Sequence, residues 1–434
     1  MRVRKVLQGW NRLNKRVDII SCMMKILFDF LTVADKNGAA EYTRSVFYAL
    51  LGRMESEELA DVQLYCLYDS QAKPIYDDLS PNGFDHPQVK FIDYQLGSRI
   101  INSMHFEVFF LACAHSAGWH PDVANYTCKA LIVAHDCVWE EIYNNDLSIY
   151  MKLNTEDLFR YRERVPMGKK VYWDIKSPTI RFCRWLLHSR EHGLLEMDAK
   201  SLSPAMDLFR RRKDNEIITV SHYSMSSLLY NFRVPAERVR VLYSPERIYK
   251  DSKALEDQVC NEKLKSLIES NTRYFLLVSA GRENKNSKKA LRAFHTYSTK
   301  NKDVFLVTVG FKKELFANHV DLDFLNDWDL QSAYKNCYAL LFPSIFEGFG
   351  YPPLEAMKYG KPVLSSNTCS MPEILGNAPI YFSPFYESAI FHALRTLNGQ
   401  NYSDYAEKSI RQYELVHQRQ REDLALLTEK ILAG

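Results

Sequence analysis

The sequence predicts an α/β fold made of two successive series of parallel βαβ units. Short apolar runs of strand length alternate with helical stretches from Lys25 onward. A charged, helix-prone segment at 244–271 interrupts that alternation. The stretch Phe346-Glu347-Gly348-Phe349-Gly350-Tyr351-Pro352-Pro353-Leu354-Glu355 sets a glycine-rich loop between a buried strand and a helix start.

In the first series, residues 26–30 (Ile-Leu-Phe-Asp-Phe) read as a buried strand. Asn37-Gly38-Ala39-Ala40-Glu41-Tyr42 leads into the helical periodicity of Val46, Phe47, Leu50 and Leu51. Further strands are expected at 62–68, 131–134, 217–221 and 239–243. In the second series strands are expected at 274–280, 304–309, 339–342, 361–365 and 380–382, and a terminal helix from Tyr402. Pro352 and Pro353 suit a first helical turn, which needs no backbone N–H donors. Gly360 ends that helix and Pro362 blocks its continuation. Ser370 and Glu373 have capping-box spacing for another helix.

Composition narrows the classes. The chain has 434 residues, enough for roughly two or three domains. An apolar fraction of 46% and a charged fraction of 25% are ordinary for a globular protein. A net charge of +3 is too small to imply nucleic-acid binding. The nine cysteines are odd in number and lack C-x-x-C spacing, which speaks for reduced thiols in a cytosol rather than a disulfide framework or zinc site. No run approaches the ~20 apolar residues of a membrane span, and the first 23 residues lack a secretory pattern. Those residues carry Arg2, Arg4, Lys5, Arg12, Lys15 and Arg16 among Val6, Leu7, Trp10 and Leu13. They are a loose extension, a basic helix at a membrane surface, or a segment preceding translation from Met23 or Met24. A second basic and aromatic run, 161–191, is either a packed helix with a solvated basic face or a surface for membrane or anionic glycan.

The chemistry concentrates around Glu347 and Glu355. Ligands of open α/β sheets bind beyond the carboxyl ends of strands. Gly348 and Gly350 permit close backbone approach, and a helix start offers N–H groups to an anion. Carboxylates for hydroxyls beside N–H donors for phosphate suit a sugar nucleotide. Residues 276–286 form a second strand and a basic loop holding Arg282 and Lys285, placed to clamp a diphosphate. Leu131-Ile132-Val133-Ala134 ends in His135-Asp136, where Asp136 either orients the imidazole or caps a following helix. Ser224, in Thr219-Val220-Ser221-His222-Tyr223-Ser224, is expected as an N-cap. The triplets Asp321-Leu322-Asp323 and Asp327-Trp328-Asp329 have the form of metal motifs, and both are expected outside the site. Gly38 does not belong to a G-x-G-x-x-G fingerprint, so NAD binding is unsupported.

The Glu347–Glu355 stretch, its continuation through Ser366, and Ser370-Met371-Pro372-Glu373-Ile374 resemble the E-x7-E region of the family 4 retaining glycosyltransferases. The resemblance runs from about Lys25 to the end of the chain and implies the GT-B fold, two Rossmann-like domains facing a cleft. It divides the chain into a basic extension (1–23), an acceptor-side domain (24–244), a nucleotide-sugar domain (245–404) and a helix returning to the first domain (405–434). It implies transfer of a hexosyl unit, with retention, from a nucleotide diphosphate sugar to a glycan or lipid-linked acceptor, as in bacterial-type surface polysaccharide synthesis. Glu347, His135, Arg282 and Lys285 are then catalytic, with Lys288 or Lys289 as substitutes for Lys285. Gly38, Gly348, Phe349, Gly350, Tyr351 and Glu355 bind donor, Glu355 at the ribose and Glu347 at sugar hydroxyls. No metal or other cofactor is expected. Partners are the nucleotide sugar, the acceptor and peripherally the inner face of a membrane, with the protein in the cytoplasm and no nucleic acid bound. The alternatives are a non-catalytic GT-B scaffold for glycan assembly, a phosphorylase and a sugar-nucleotide epimerase.

Overall fold

The computed structural model describes residues 23–33, 37–71, 84–138, 140–141, 202–249 and 259–434. The basic runs at 1–22 and 161–191 lie outside the described residues. The described chain builds two parallel sheets. The first contains β1 (Met24–Asp29), β2 (Val62–Tyr68), β3 (Val89–Asp93), β4 (Val108–Leu111), β5 (Lys129–Ala134), β6 (Glu216–Thr219) and β7 (Val239–Val241), in the order β3-β2-β1-β4-β5-β6-β7. The second contains β8 (Arg273–Leu277), β9 (Val304–Thr308), β10 (His319–Asp321), β11 (Ala339–Phe342), β12 (Val363–Ser366) and β13 (Ile380–Phe382), in the order β10-β9-β8-β11-β12-β13.

Both orders run outward from a first strand, return and run outward on its other side, the doubly wound pattern. The reversal falls between β1 and β4 in one sheet and between β8 and β11 in the other. Central strands are covered on both faces, so β4, β11 and β12 are wholly buried. This is why β4 and β11 read as continuous apolar runs rather than alternating ones. Strands β3, β4 and β10 were not among the expected elements. β3 and β10 are short edge strands with mixed side chains and little alternation, and β4 is an apolar run of only four residues, which periodicity alone does not tell from a buried helix segment.

The terminal helix Tyr402–Leu432 joins the two layers. Val416, Gln420, Asp423, Leu427 and Ile431 form its buried seam, at the three- and four-residue spacing that keeps one face inward. Its early part packs on the helix Tyr351–Lys358 and its later part on the helix Gly38–Ser56. Ile410 lies beneath Gly360, and a Cβ added at that glycine would come within 3.1 Å of it. Further along, Asp423 accepts from the Tyr243 backbone N–H at 2.8 Å, and Lys430 pairs with Glu216 of β6 at 2.9 Å.

Candidate active site

The carboxyl ends of the two sheets face each other. The loop after β11 reaches across to the segment after β5. A Cβ on Gly348 would stand 2.3 Å from the His135 carbonyl oxygen, so only glycine fits there. Its close approach is to protein backbone rather than to open cleft. Ser221 donates to the Gly348 carbonyl at 2.7 Å, and Ser224 donates to the His135 carbonyl at 2.8 Å. The N-cap of the helix His222–Phe232 is Ser221, which accepts from the Ser224 N–H at 3.1 Å. Ser224, expected as the cap, sits one turn inside and uses its hydroxyl across the interface.

Glu373 departs from its expected role in the same way. Ser370 makes no capping bond to its own helix Met371–Leu375 and donates instead to the Glu347 carbonyl at 3.0 Å. Glu373 points to the other sheet's layer, accepting from the backbone N–H groups of His222 at 2.8 Å and Tyr223 at 3.0 Å. A carboxylate at a helix N-terminus satisfies orphan donors and complements the dipole. Local spacing signalled a capping box, but the carboxylate caps a helix from a distant part of the chain.

At the reversal of the second sheet, Lys285 follows β8 and Glu347 follows β11. Their side chains form an ion pair, and Ser344 donates to the same carboxylate oxygen. The two loops are tied by backbone. The Ile345 N–H donates to the Asn284 carbonyl at 2.8 Å, and the Asn284 amide donates to the Phe346 carbonyl at 3.1 Å. Lys285 is buried at 6% exposure and Glu347 is part-exposed. The alternative Lys289 turns to the Phe385 carbonyl at 3.0 Å. Arg282 is exposed on the loop before Lys285. Gly350, at φ +99°, starts the helix Tyr351–Lys358 without a side-chain cap, with Pro352 in its first turn. Phe349 is buried against the rings of Tyr243 and Tyr351. Gly38 opens the helix Gly38–Ser56, and its position for a Cβ lies 3.4 Å from the Tyr351 ring across the cleft.

His135 packs edge-on to Tyr42, with ring centroids 4.8 Å apart. Its Nε2 lies 3.0 Å from the Ala112 carbonyl, which can only accept, so Nε2 carries the proton and Nδ1 is an acceptor in the neutral ring. Burial pushes the imidazole down to about 4, against the opposing pull of the Ala112 hydrogen bond and the Asp136 charge. Asp136 accepts from the Val138 N–H at 3.0 Å, a local cap, and its carboxylate lies 3.9 Å from His115.

Glu355 sits in a cluster that sequence reading missed. Its Oε1 accepts from the Tyr249 hydroxyl at 2.6 Å and lies 3.7 Å from Arg247. Arg247 also reaches Asp327 at 2.8 Å and Glu41 at 3.5 Å. Glu41 pairs with Arg44 at 3.4 Å. Burial raises the Glu41 carboxyl while Arg247 and Arg44 oppose that rise. Burial would lower the Arg247 guanidinium, but the Glu355 and Glu41 charges hold it above its usual value. Arg247 and Tyr249 follow the last strand of the first sheet in a stretch with no periodicity, so nothing local announced them.

Of the aspartate triplets, Asp321 accepts from the backbone N–H groups of Phe311 (3.0 Å), Lys312 (2.9 Å) and Asp323 (3.1 Å) and from the Thr308 hydroxyl. Asp329 accepts from the Cys260 and Asn261 N–H groups at 2.9 and 3.1 Å. These carboxylates are occupied by backbone. Asp327, expected outside the site with the rest of its triplet, is linked through its ion pair with Arg247 to the cluster around Glu355. Among the described residues no cluster of His, Cys, Asp and Glu is arranged to hold a metal ion.

Residues 260–408, about a third of the chain, match the family model described as glycosyl transferases group 1. The chain is 26% identical over 208 residues to the O-antigen chain mannosyltransferase B of Escherichia coli, covering 44% of this chain and 53% of that protein. A 61-residue stretch is 49% identical to the serotype-specific mannosyltransferase WbdA of Escherichia coli, covering 14% of this chain and 8% of that protein. The chain thus spans about half the length, or less, of these curated relatives. In three dimensions it resembles the sucrose-phosphate synthase of Thermosynechococcus elongatus, with a TM-score of 0.61 at 11% identity, covering 95% of this chain and all of that one. Two doubly wound sheets with facing carboxyl ends and these matches agree: the chain has the GT-B fold, and its residues 260–408 are similar to the glycosyl transferases group 1.

Proposed function

We propose that this protein transfers a hexosyl unit, with retention, from a nucleotide diphosphate sugar to a glycan or lipid-linked acceptor in the synthesis of a bacterial-type surface polysaccharide. The observation that carries the reading is the meeting of Lys285 and Glu347 at the reversal point of the second sheet, beside the open helix start at Gly350. A cation, a carboxylate and backbone N–H donors converge where open α/β sheets bind their ligands. The mannosyltransferase relatives make GDP-mannose the first donor to test.

In this reading the diphosphate lies against Lys285, Arg282 and the helix start, while Glu347 meets sugar hydroxyls and Glu355 the ribose. The bond from the anomeric carbon to the diphosphate oxygen breaks as the acceptor hydroxyl oxygen bonds to that carbon from the same face. The hydroxyl proton passes to the departing phosphate. Positive charge fixed at the leaving group is the main source of rate, and no protein nucleophile or metal ion takes part. His135, neutral near pH 7, lines the acceptor side. The protein works in the cytoplasm, in peripheral contact with the membrane; among the described residues no helix is long and apolar enough to cross one.

A thermal-shift screen of nucleotide sugars tests the donor. At a hundred times its Kd a true donor stabilises the fold by about 2.7 kcal/mol. Analysis of the anomeric configuration of the product tests retention. Inversion, dependence on inorganic phosphate, or sugar interconversion without acceptor would each overturn the reading.

A further inference from the structure

We propose that Tyr249 is a positioning residue for nucleotide binding: with Arg247 it holds the Glu355 carboxylate in place for the ribose hydroxyls and ties it to the first sheet's layer. The inference rests on the reading of Glu355 as the ribose ligand. Glu355 lies in the second turn of the helix Tyr351–Lys358, and a glutamate there has several rotamers to lose on binding. Tyr249 removes that freedom in advance. Its hydroxyl donates to Oε1 at 2.6 Å, and its ring is held beneath the Arg247 guanidinium, 4.8 Å from ring centre to Cζ. Burial and the nearby Glu355 charge together push the hydroxyl of the fully buried Tyr334 well above its ordinary value. A carboxylate has about four lone-pair sites, so acceptor capacity is left for a ligand.

The arrangement spans the cleft. Arg247 lies 3.7 Å from Glu355 and 2.8 Å from Asp327 on the second sheet's side, and 3.5 Å from Glu41 in the helix Gly38–Ser56 on the other. The Arg247 segment is itself fastened on both sides. Ser45 donates to the Glu246 carbonyl at 3.0 Å, and Lys358 pairs with the Glu246 carboxylate at 2.7 Å. A ribose meeting Glu355 therefore meets a carboxylate whose orientation depends on the two layers being together.

The test is calorimetric binding to the full chain of GDP and UDP, each beside its 2′,3′-dideoxy analogue, with wild type, Glu355→Gln and Tyr249→Phe. Tyr249→Phe removes one hydroxyl and keeps the ring, and its melting temperature reports on folding. The expected result is about tenfold weaker ribonucleotide binding, the scale of one hydrogen bond to a charged group, with dideoxy binding changed less than about twofold. Donor KM should rise while kcat holds. Equal weakening of both nucleotides, or of neither, overturns the proposal. If Glu355→Gln also fails to discriminate, the ribose reading of Glu355 falls. If Glu355→Gln discriminates and Tyr249→Phe does not, only the role of Tyr249 falls.

Discussion

Lys285 and Glu347, 62 residues apart in sequence, form a largely buried ion pair across the reversal point of the second sheet. A nucleotide sugar entering this site meets two charges already committed to each other. Each proposed role, phosphate neutralisation for the lysine and hydroxyl recognition for the carboxylate, is therefore exercised by a pair.

Glu347→Gln should lower turnover by roughly 10²-fold or more, because it removes a charge that acts in the transition state. It also leaves the buried Lys285 ammonium without its counter-charge, so stability should fall by about 1–3 kcal/mol. Chemical denaturation of Glu347→Gln, Lys285→Met and the double variant measures the coupling. Strict additivity would show the pair to be inert, and wild-type turnover would remove Glu347 from the mechanism.

Arg282→Ala and Lys285→Ala should each weaken nucleoside diphosphate binding, since each removes a charge-assisted contact. Lys289→Ala should not, because its ammonium serves the Phe385 carbonyl. Titration calorimetry decides; a defect confined to Lys289→Ala would reassign the phosphate lysine.

Gly348→Ala tests the cleft. The added methyl would lie 2.3 Å from the His135 carbonyl, in a place fixed by Ser221 and Ser224. Overpacking of this kind should destabilise by about 1–3 kcal/mol and reduce activity by holding the loops apart. A variant with wild-type melting temperature and turnover would mean that the layers separate freely here.

Activity should survive excess EDTA, since Lys285, Arg282 and the helix start supply positive potential. Asp321→Ala should lose stability before chemistry, as it deprives the Phe311, Lys312 and Asp323 N–H groups of their acceptor. Activity lost in EDTA and restored by manganese would overturn the metal-free mechanism.

His135 gives a pH signature. Its folded value is near 4 against an ordinary 6.5. Above pH 6.5 the ring is neutral folded or unfolded and contributes nothing to pH dependence. As pH falls from 6.5 toward 4 the unfolded chain takes the proton first, and stability drops by up to roughly 2–3 kcal/mol. Asp29 works in the opposite sense: burial raises its carboxyl from 3.8 to about 6, so its contribution is lost as pH rises through that value. Denaturation of wild type and His135→Gln at several pH values isolates the histidine. A difference that does not change between pH 6.5 and 4 would contradict a ring held neutral in the folded protein.

Short-range patterns along the chain were enough for the α/β class, most strands, the glycine-and-proline-framed helix start and the loops bearing Lys285 and Glu347. These are local signals, because apolar runs, φ-restricted prolines and glycines act within a few residues. What those side chains touch follows from how distant elements pack in the folded chain. Glu373 had the spacing of a cap for its own helix and instead caps His222 and Tyr223. Asp327 resembled half of a metal motif and is a partner of Arg247. Gly348 suggested room for a ligand and makes room for the His135 backbone. Arg247 and Tyr249 carried no signal, because their meaning lies in Glu41, Asp327 and Glu355, brought together when two sheets close on each other. Local spacing fixes where a side chain starts, but a long polar side chain pairs with whichever buried group folding leaves unsatisfied, and that group is set by the packing of distant elements.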